Sequence, residues 1–171
     1  MNIAKNLERS AFFFPDRTAA SEGDSETTYK QLNERANRAA TGLIRMGIEP
    51  GEHVGLYAPN SGDWLAFYFG VLKTGAVAVT LSSQLKRKES ELLITHARPR
   101  IVFSFDEKLE DLARFRGKGG LEKIISPGGD LDFKDLMNMG SDSFQALDRD
   151  RSDTAAILYT GGTTGLSLIH I

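Results

Sequence analysis

Helical and strand-like patterns of apolar residues alternate along this chain. Ile3, Leu7 and Ala11 share one helical stripe that Pro15 ends, which predicts a first helix. Two short strand-like runs then flank a polar turn at residues 22–25, a pattern typical of a hairpin. We predict helices at residues 2–14, 29–46, 62–74, 86–97, 106–116 and 133–139, and strands at residues 17–20, 26–28, 53–57, 76–81, 100–105, 122–126 and 155–159.

The helix at residues 29–46 has recognisable ends. Thr28 and Gln31 match a capping box, in which each side chain accepts a hydrogen bond from the other residue's backbone. Gly47 follows the last turn at the position where a left-handed residue commonly ends a helix, and Pro50 cannot continue it. The apolar residues between these ends keep helical spacing, so one face is expected to lie in the core.

The helix at residues 62–74 has apolar residues on nearly all sides, four of them aromatic. Such a helix is expected to be buried in the body of a protein. Its aromatic residues could line an apolar ligand pocket, but core packing is the more usual role of aromatic residues at helical spacing. We therefore interpret this helix as part of the core.

The order of these elements indicates the fold class. Strands that alternate with helices predict an α/β fold, with a mostly parallel sheet and helices on both faces. The apolar run at residues 155–158 is typical of a buried strand of such a sheet.

The composition argues against several classes of partner and location. The 171 residues carry a net charge of −2, which argues against a partner such as nucleic acid. The chain has no cysteine and no run of 18 apolar residues, so neither disulfides nor a membrane span is predicted. Glu8 and Arg9 interrupt the only early apolar stretch, so no signal peptide is predicted, and we expect a cytoplasmic protein.

The segment that directly follows the last predicted strand consists only of threonine and glycine. Glycine lets a ligand approach the backbone closely, and successive N–H groups in a turn can bind an anion. The segment is not a P-loop, because its sixth position from Gly161 is Leu166 and no lysine follows. Its glycine spacing also differs from that of the dinucleotide fingerprint. We predict a phosphate site formed by Thr160, Gly161, Gly162, Thr163, Thr164 and Gly165.

This segment resembles the phosphate-binding loop of the adenylate-forming (AMP-dependent) synthetases, which include acyl-CoA synthetases and peptide-synthetase adenylation domains. Two earlier stretches are also similar to family motifs: Thr-Thr-Tyr-Lys-Gln-Leu at residues 27–32 and Val-Leu-Lys-Thr-Gly-Ala-Val at residues 71–77. Residues 153–159 resemble the strand that leads to the loop. The chain is thus identified as a member of this family, although Gly161 replaces the commoner serine and the lysine expected after Gly165 is missing.

The resemblance implies a ligase of the acyl-CoA synthetase type that acts in fatty acid metabolism. Such an enzyme uses ATP and Mg²⁺ to convert a small carboxylic acid into an acyl-adenylate, and then transfers the acyl group to coenzyme A. Members of the family place their catalytic lysine, metal-binding glutamate and adenine pocket after the loop. The resemblance therefore implies an N-terminal fragment, inactive alone, with no catalytic or metal-binding residue of its own and with residues 160–165 as its nucleotide-binding residues.

Two further expectations concern the extent of the domain and the last six residues. Residues 1–165 correspond to a partial AMP-binding domain, whereas the family pattern stops at residue 166. Residues 166–171 resemble a translated sequencing adapter, so we expect a non-native tail. An adenylation domain that loads a carrier protein and a nucleotide-binding module without turnover are the alternative functions.

The remaining polar candidates have simpler interpretations. His53 and His96 have no partner at ligand spacing in the sequence, so we interpret both as structural. The charged run at residues 86–89 is interpreted as the solvated start of a helix rather than a polyanion site.

Overall fold

The computed structural model describes the backbone of residues 1–117, 119–162 and 165–170, and the side chains of residues 1–117 and 119–159. The helices are α1 (Lys5–Phe13), α2 (Tyr29–Arg45), α3 (Gly62–Lys73), α4 (Arg87–Ala97), α5 (Leu109–Arg114) and α6 (Phe133–Met139), with a short 3₁₀ helix at Asp106–Lys108. The strands are β1 (Thr18–Glu22), β2 (Ser25–Thr28), β3 (His53–Tyr57), β4 (Val77–Thr80), β5 (Ile101–Ser104), β6 (Lys123–Ile125), β7 (Ala156–Gly162) and β8 (Gly165–His170).

The chain divides into two compact units. The first unit comprises Met1–Pro50, Asn60–Ala76 and Lys134–Asp153, and it holds α1, α2, α3, the β1–β2 hairpin and most of α6. The second unit comprises Gly51–Pro59, Val77–Phe133 and the chain from Thr154 onward. It holds the large sheet with α4 and α5.

The sheet of the second unit has the strand order β6-β5-β3-β4-β7-β8. The first five strands in this order are parallel, and β8 pairs with β7 in the antiparallel sense. Side chains on both faces of the central strands are buried, because every residue of β5 and nearly every residue of β3 and β4 is inaccessible. The predicted α/β class with a mostly parallel sheet is therefore confirmed.

Helices α4 and α5 pack on this sheet through one apolar cluster. Burial of such a surface is the main favourable contribution to folding. The cluster joins alternate residues of the strands to the inward faces of the two helices, and it comprises Tyr57, Val77, Val79, Leu81, Leu93, Ile94, Ala97, Val102, Leu112, Phe115, Leu121, Ile124 and Ile157.

Helix α2 of the first unit has the two ends that the sequence predicts. The Thr28 hydroxyl accepts a hydrogen bond from the Gln31 N–H (3.3 Å), and the Gln31 side chain accepts one from the Thr28 N–H (2.9 Å). Gly47 has a φ of +84°, and the following Ile48 N–H donates to the Leu43 carbonyl at 3.0 Å. These contacts satisfy backbone groups that have no partner within the helix, so the predicted caps are confirmed.

Helix α3 crosses α2 at a glycine. A methyl group added at Gly70 would lie 2.6 Å from the Ala39 Cβ and 3.2 Å from the Ala36 carbonyl oxygen. Only residues without a bulky side chain let the two helix backbones come this close. The prediction that α3 is buried all round is wrong for one side, because four of its apolar residues remain half-exposed: Trp64, Leu65, Tyr68 and Phe69.

A polar cluster connects α1 to the end of α3. The ammonium group of Lys73 is fully buried and lies 2.5 Å from the Glu8 carboxylate, which also accepts a hydrogen bond from the Ala146 N–H (2.8 Å). Nearby, the Asn2 side-chain amide donates to the carbonyls of Leu72 (2.6 Å) and Leu147 (2.9 Å). These contacts hold residues 146–147 against the end of α3.

Among the described helices, none combines the length and the hydrophobicity needed to cross a lipid bilayer.

The end of β7 differs from the prediction. The sequence predicts that the strand stops at Tyr159, whereas β7 continues through Gly162 and pairs with β8, with Gly162 opposite Gly165. The physical reason is the sheet edge, because β7 would otherwise present a row of unpaired backbone groups. The predicted boundary was therefore three residues too early.

Candidate functional site

The carboxyl ends of the parallel strands lie at one edge of the sheet of the second unit. Tyr57, Thr80, Ser104 and Gly162 are the last residues of β3, β4, β5 and β7. Open parallel sheets of α/β proteins bind ligands outside this edge. The segment predicted to bind phosphate therefore lies where such a fold commonly places its ligand.

Hydrogen bonds connect the loops that follow β3, β4 and β5 at this edge. The Tyr57 hydroxyl and the Lys108 ammonium both donate to the Leu85 carbonyl oxygen, each at 3.0 Å. The Lys108 ammonium also lies 5.2 Å from the centre of the Tyr57 ring, within the range of a cation–π contact. The Ser104 hydroxyl donates to the Tyr57 carbonyl oxygen at 2.9 Å. These contacts give the edge a defined shape beside β7.

Tyr159 anchors β7 just before the predicted site. Its hydroxyl lies 2.9 Å from Nδ1 of His96 on α4, and the two rings meet edge to face. The Tyr159 ring also packs against the apolar cluster of the sheet, and this burial raises the pKa of its phenol. Sequence reasoning did not find this pair, because 63 positions separate the two residues. The only indication of it in the sequence was the position of an aromatic residue, Tyr159, directly before the threonine–glycine segment.

The predicted phosphate-binding residues fall in three places. Thr160, Gly161 and Gly162 form the last part of β7, and Gly165 begins β8. Thr163 and Thr164 lie outside the described residues. The structure therefore places four of the six residues in two antiparallel strands that pair with each other, and the assignment of the segment to phosphate binding stays a prediction.

Strand pairing and phosphate binding compete for the same backbone groups. Thr160, Gly161 and Gly162 lie opposite Ser167, Leu166 and Gly165 in the antiparallel pair. An N–H group that donates to the neighbouring strand cannot donate to a phosphate oxygen in the same geometry. Within β7, contacts to a phosphate would therefore come from N–H groups that do not donate to β8.

One aromatic residue of α3, Trp64, lines a separate groove of the first unit, of about 710 Å³. The groove lies between the β1–β2 hairpin and the start of α3, and Trp64 and Leu65 are among its few large apolar residues. Trp64 stacks on Tyr68 with ring centres 5.2 Å apart and planes 7° apart. Most of the other lining residues are polar, and Glu22 accepts a hydrogen bond from the Gly62 N–H at 2.9 Å. This lining differs from the apolar pocket considered as an alternative to core packing.

The other sequence candidates occupy structural positions. Nδ1 of His53 lies 2.5 Å from the Ala97 carbonyl oxygen, so this ring connects β3 to the end of α4. Lys86, Arg87 and Lys88 are exposed, and the Lys86 N–H donates to the Glu89 carboxylate at 2.8 Å as α4 begins. These contacts agree with a structural role for His53 and with a solvated helix start at residues 86–89. In the described part of the chain, no group of three or more His, Asp or Glu residues could hold a metal ion.

Comparison with protein families gives a match over nearly the whole chain. The family model described as AMP-binding enzyme matches residues 7–167. Similarity to individual proteins is consistent with it. A medium/long-chain-fatty-acid–CoA/3-oxocholest-4-en-26-oate–CoA ligase of Mycobacterium marinum is 31% identical over 179 residues, which cover 96% of this chain and 32% of the ligase. A dimodular nonribosomal peptide synthase of Bacillus subtilis is 30% identical over 168 residues, 96% of this chain and 7% of the synthase.

Solved structures agree with the sequence comparison. The crystal structure of the anthranilate CoA ligase AuaEII in complex with anthranoyl-AMP superposes with a TM-score of 0.91 at 32% identity. The superposition covers 99% of this chain and 33% of the ligase. The chain thus spans about a third of the length of the CoA ligases that it matches.

Proposed function

The chain belongs to the AMP-binding enzyme family, and from this premise we propose that it is the N-terminal part of an ATP-dependent acyl-CoA synthetase. The similarity to a fatty-acid–CoA ligase and to the anthranoyl-AMP complex of another CoA ligase supports this proposal. The reaction begins when a carboxylate attacks the α-phosphate of ATP, which gives an acyl-adenylate and pyrophosphate. A thiol, here that of coenzyme A, then attacks the acyl carbonyl carbon, so that a thioester forms and AMP leaves.

The observation that carries the proposal is the position of the threonine–glycine segment. Its first three residues form the end of β7, at the carboxyl edge of a parallel sheet, and it lies near the end of the family match. Catalysis of phosphoryl-type transfer consists largely of positioning and charge stabilisation. In the proposal, the backbone N–H groups and threonine hydroxyls of residues 160–165 hold the phosphates of ATP. The pair His96–Tyr159 fixes the strand from which this segment extends.

The donor set of residues 160–165 fits phosphate. Hydroxyl and N–H groups donate to phosphate oxygens, whereas Mg²⁺ prefers carboxylate oxygens and water. The described residues contain no cluster of acidic side chains that could hold the ion. Mg²⁺ and coenzyme A enter the proposal as requirements of the whole enzyme. The expected cytoplasmic location also remains a proposal.

The test uses Thr163→Val, which removes one hydroxyl and keeps a β-branched side chain. In the full-length enzyme we expect ATP-dependent pyrophosphate exchange to fall at least about tenfold, as expected when a charge-assisted hydrogen bond to phosphate is lost. Thr95→Val, on the exposed side of α4, is the matched control and should leave exchange unchanged. Equal exchange by the two variants would show that the Thr163 hydroxyl does not bind phosphate. The 171-residue chain alone should show no measurable exchange, and clear exchange by it would contradict the fragment assignment.

A second candidate is an adenylation domain that loads a carrier protein, which the similarity to the dimodular peptide synthase favours. The first half-reaction is the same, so pyrophosphate exchange cannot separate the two functions. The acceptor does separate them. Acyl transfer to coenzyme A supports the synthetase, whereas transfer only to the phosphopantetheine thiol of a carrier protein supports the alternative. Nucleotide binding without exchange in the full-length protein would indicate a module without turnover.

A further inference from the structure

Three consecutive phenylalanines form an exposed tip at the end of α1. Phe12 is 78% exposed, Phe13 63% and Phe14 48%. Their rings contact mainly one another, with centres 5.0 Å apart for the first pair and 6.4 Å for the second. Large apolar residues that stay together on a surface usually mark a place of interaction.

Basic residues surround this phenylalanine tip (Phe12–Phe14). The guanidinium of Arg17 lies 4.9 Å from the centre of the Phe14 ring. Arg9 is exposed and precedes Phe12 and Phe13 by three and four helical positions, which places it on their side of α1.

A third cation lies close to the tip in the fold. The Lys30 N–H donates to the Pro15 carbonyl at 3.1 Å, and the Lys30 side chain is exposed. Asp16 is the one acidic residue between Arg9 and Arg17 that is exposed. Three exposed cations (Arg9, Arg17 and Lys30) and one exposed carboxylate (Asp16) are thus next to the tip, with exposed Glu26 bonded to Thr18 beyond Arg17, although the chain as a whole has a net charge of −2.

The size of the tip distinguishes between possible partners. Because a phenylalanine side chain carries roughly 200 Å² of surface, the three together expose roughly 400 Å². A stable protein–protein interface needs about 800 Å² on each partner, so this tip is too small for one by itself. Aromatic side chains next to cations suit the boundary of a lipid bilayer, where rings enter between the lipids and cations stay among the headgroups.

We infer that the phenylalanine tip inserts into the surface of an anionic lipid bilayer, with Arg9, Arg17 and Lys30 in contact with the headgroups. The contact attaches the first unit to the membrane surface without crossing it. This inference does not depend on ATP or acid activation, since none of these residues belongs to the proposed phosphate site. It predicts reversible binding that weakens with salt, because exposed charges are screened.

Vesicle flotation with the full-length protein tests the inference. The probe is an equal mixture of phosphatidylcholine and phosphatidylglycerol, and pure phosphatidylcholine is the uncharged comparison. The variant Phe12→Ser/Phe13→Ser should bind the mixed vesicles at least about tenfold more weakly than the unchanged protein. Arg9→Gln should weaken binding about fivefold on mixed vesicles and leave binding to pure phosphatidylcholine unchanged.

Leu92→Ser is the matched control, because Leu92 on α4 is 57% exposed and lies outside the tip. It should bind as the unchanged protein does, and all variants should keep the same Tm. Failure of the unchanged protein to float with mixed vesicles would overturn the inference, as would equal binding by the double phenylalanine variant. A lower Tm in that variant, without vesicle binding by the unchanged protein, would show that a protein surface covers the tip instead.

Discussion

The crossing of α2 and α3 and the end of β7 both depend on glycine, for different reasons. At the crossing, Gly70 faces Ala39 so closely that a methyl group would overlap with it. At the end of β7, Gly161 and Gly162 lie in a paired strand and belong to the predicted phosphate site. At the crossing, the missing side chain makes room for the neighbouring helix. At the end of β7, we propose that it makes room for a phosphate ligand.

This difference separates stability from function. Substitutions at the crossing are expected to change the free energy of unfolding, because tightly packed interiors do not accommodate added volume. Substitutions near the end of β7 are expected to change ligand binding more than folding. The following predictions test this separation.

The largest effect is expected for Gly70→Val. Its branched side chain would overlap with Ala39 and with the α2 backbone, so we expect unfolding to become easier by roughly 4 kcal/mol. Urea denaturation of the full-length protein measures the change. Thr95→Val places the same valine side chain on an exposed helix face, where it adds no buried volume, and should change stability by less than about 0.5 kcal/mol. A loss below about 1 kcal/mol at Gly70 would show that the helices can move apart easily.

The next effect is expected for Glu8→Ala. It leaves the fully buried Lys73 ammonium without its carboxylate and the Ala146 N–H without its acceptor, so we expect a loss of about 3 kcal/mol. The double variant Glu8→Leu/Lys73→Met replaces both charges by apolar groups and should recover most of that loss. Equal losses in the single and double variants would contradict the assignment of the cost to an unpaired buried charge.

The same pair gives a pH dependence. Burial lowers the pKa of Lys73 below its ordinary value of 10.5, and the nearby Glu8 carboxylate offsets this only in part. Between the lowered pKa and 10.5, the unfolded chain binds more protons at this position than the folded chain does. The contribution of Lys73 to stability is therefore present above 10.5 and is lost as the pH falls through the lowered pKa.

Urea denaturation at several pH values from neutral to alkaline measures this dependence. The stability of the unchanged protein relative to Glu8→Leu/Lys73→Met should rise with pH. Lys30→Met, at an exposed lysine, is the control and should show no such trend. A constant or falling difference for the double variant would refute the prediction.

The smallest effect on stability is expected for Tyr159→Phe. It removes the hydroxyl contact with His96 but keeps the packed ring, so we expect a loss of about 0.5–1 kcal/mol. Pyrophosphate exchange by the full-length enzyme should fall by a larger factor than this loss alone predicts, if the pair positions the phosphate segment. Combination with His96→Ala tests whether the two residues act together, since coupled residues give non-additive losses. Unchanged exchange would limit the pair to a structural role.

Much of this fold could be predicted because its signals are local. The capping box of Thr28 and Gln31 and the glycine after α2 each depend on residues a few positions apart. Strand β3 and helix α6 also have the predicted bounds, since turn residues and apolar runs mark them directly. The half-exposed side of α3 could not be predicted, because an apolar residue in the sequence does not reveal how much neighbouring structure covers it.

The amino-acid sequence by itself determined the α/β class, the family and the segment expected to hold phosphate, because periodicity, capping and short motifs are properties of neighbouring residues. The tertiary structure alone decided that His96 meets Tyr159, that Glu8 accompanies a buried Lys73, and that β7 continues to Gly162 beside β8. In the first two contacts, the fold brings together residues that lie far apart in the sequence. In the third, a neighbouring strand pairs with the edge of the sheet. Contact between distant residues depends on the packing of whole elements, and no local pattern encodes it.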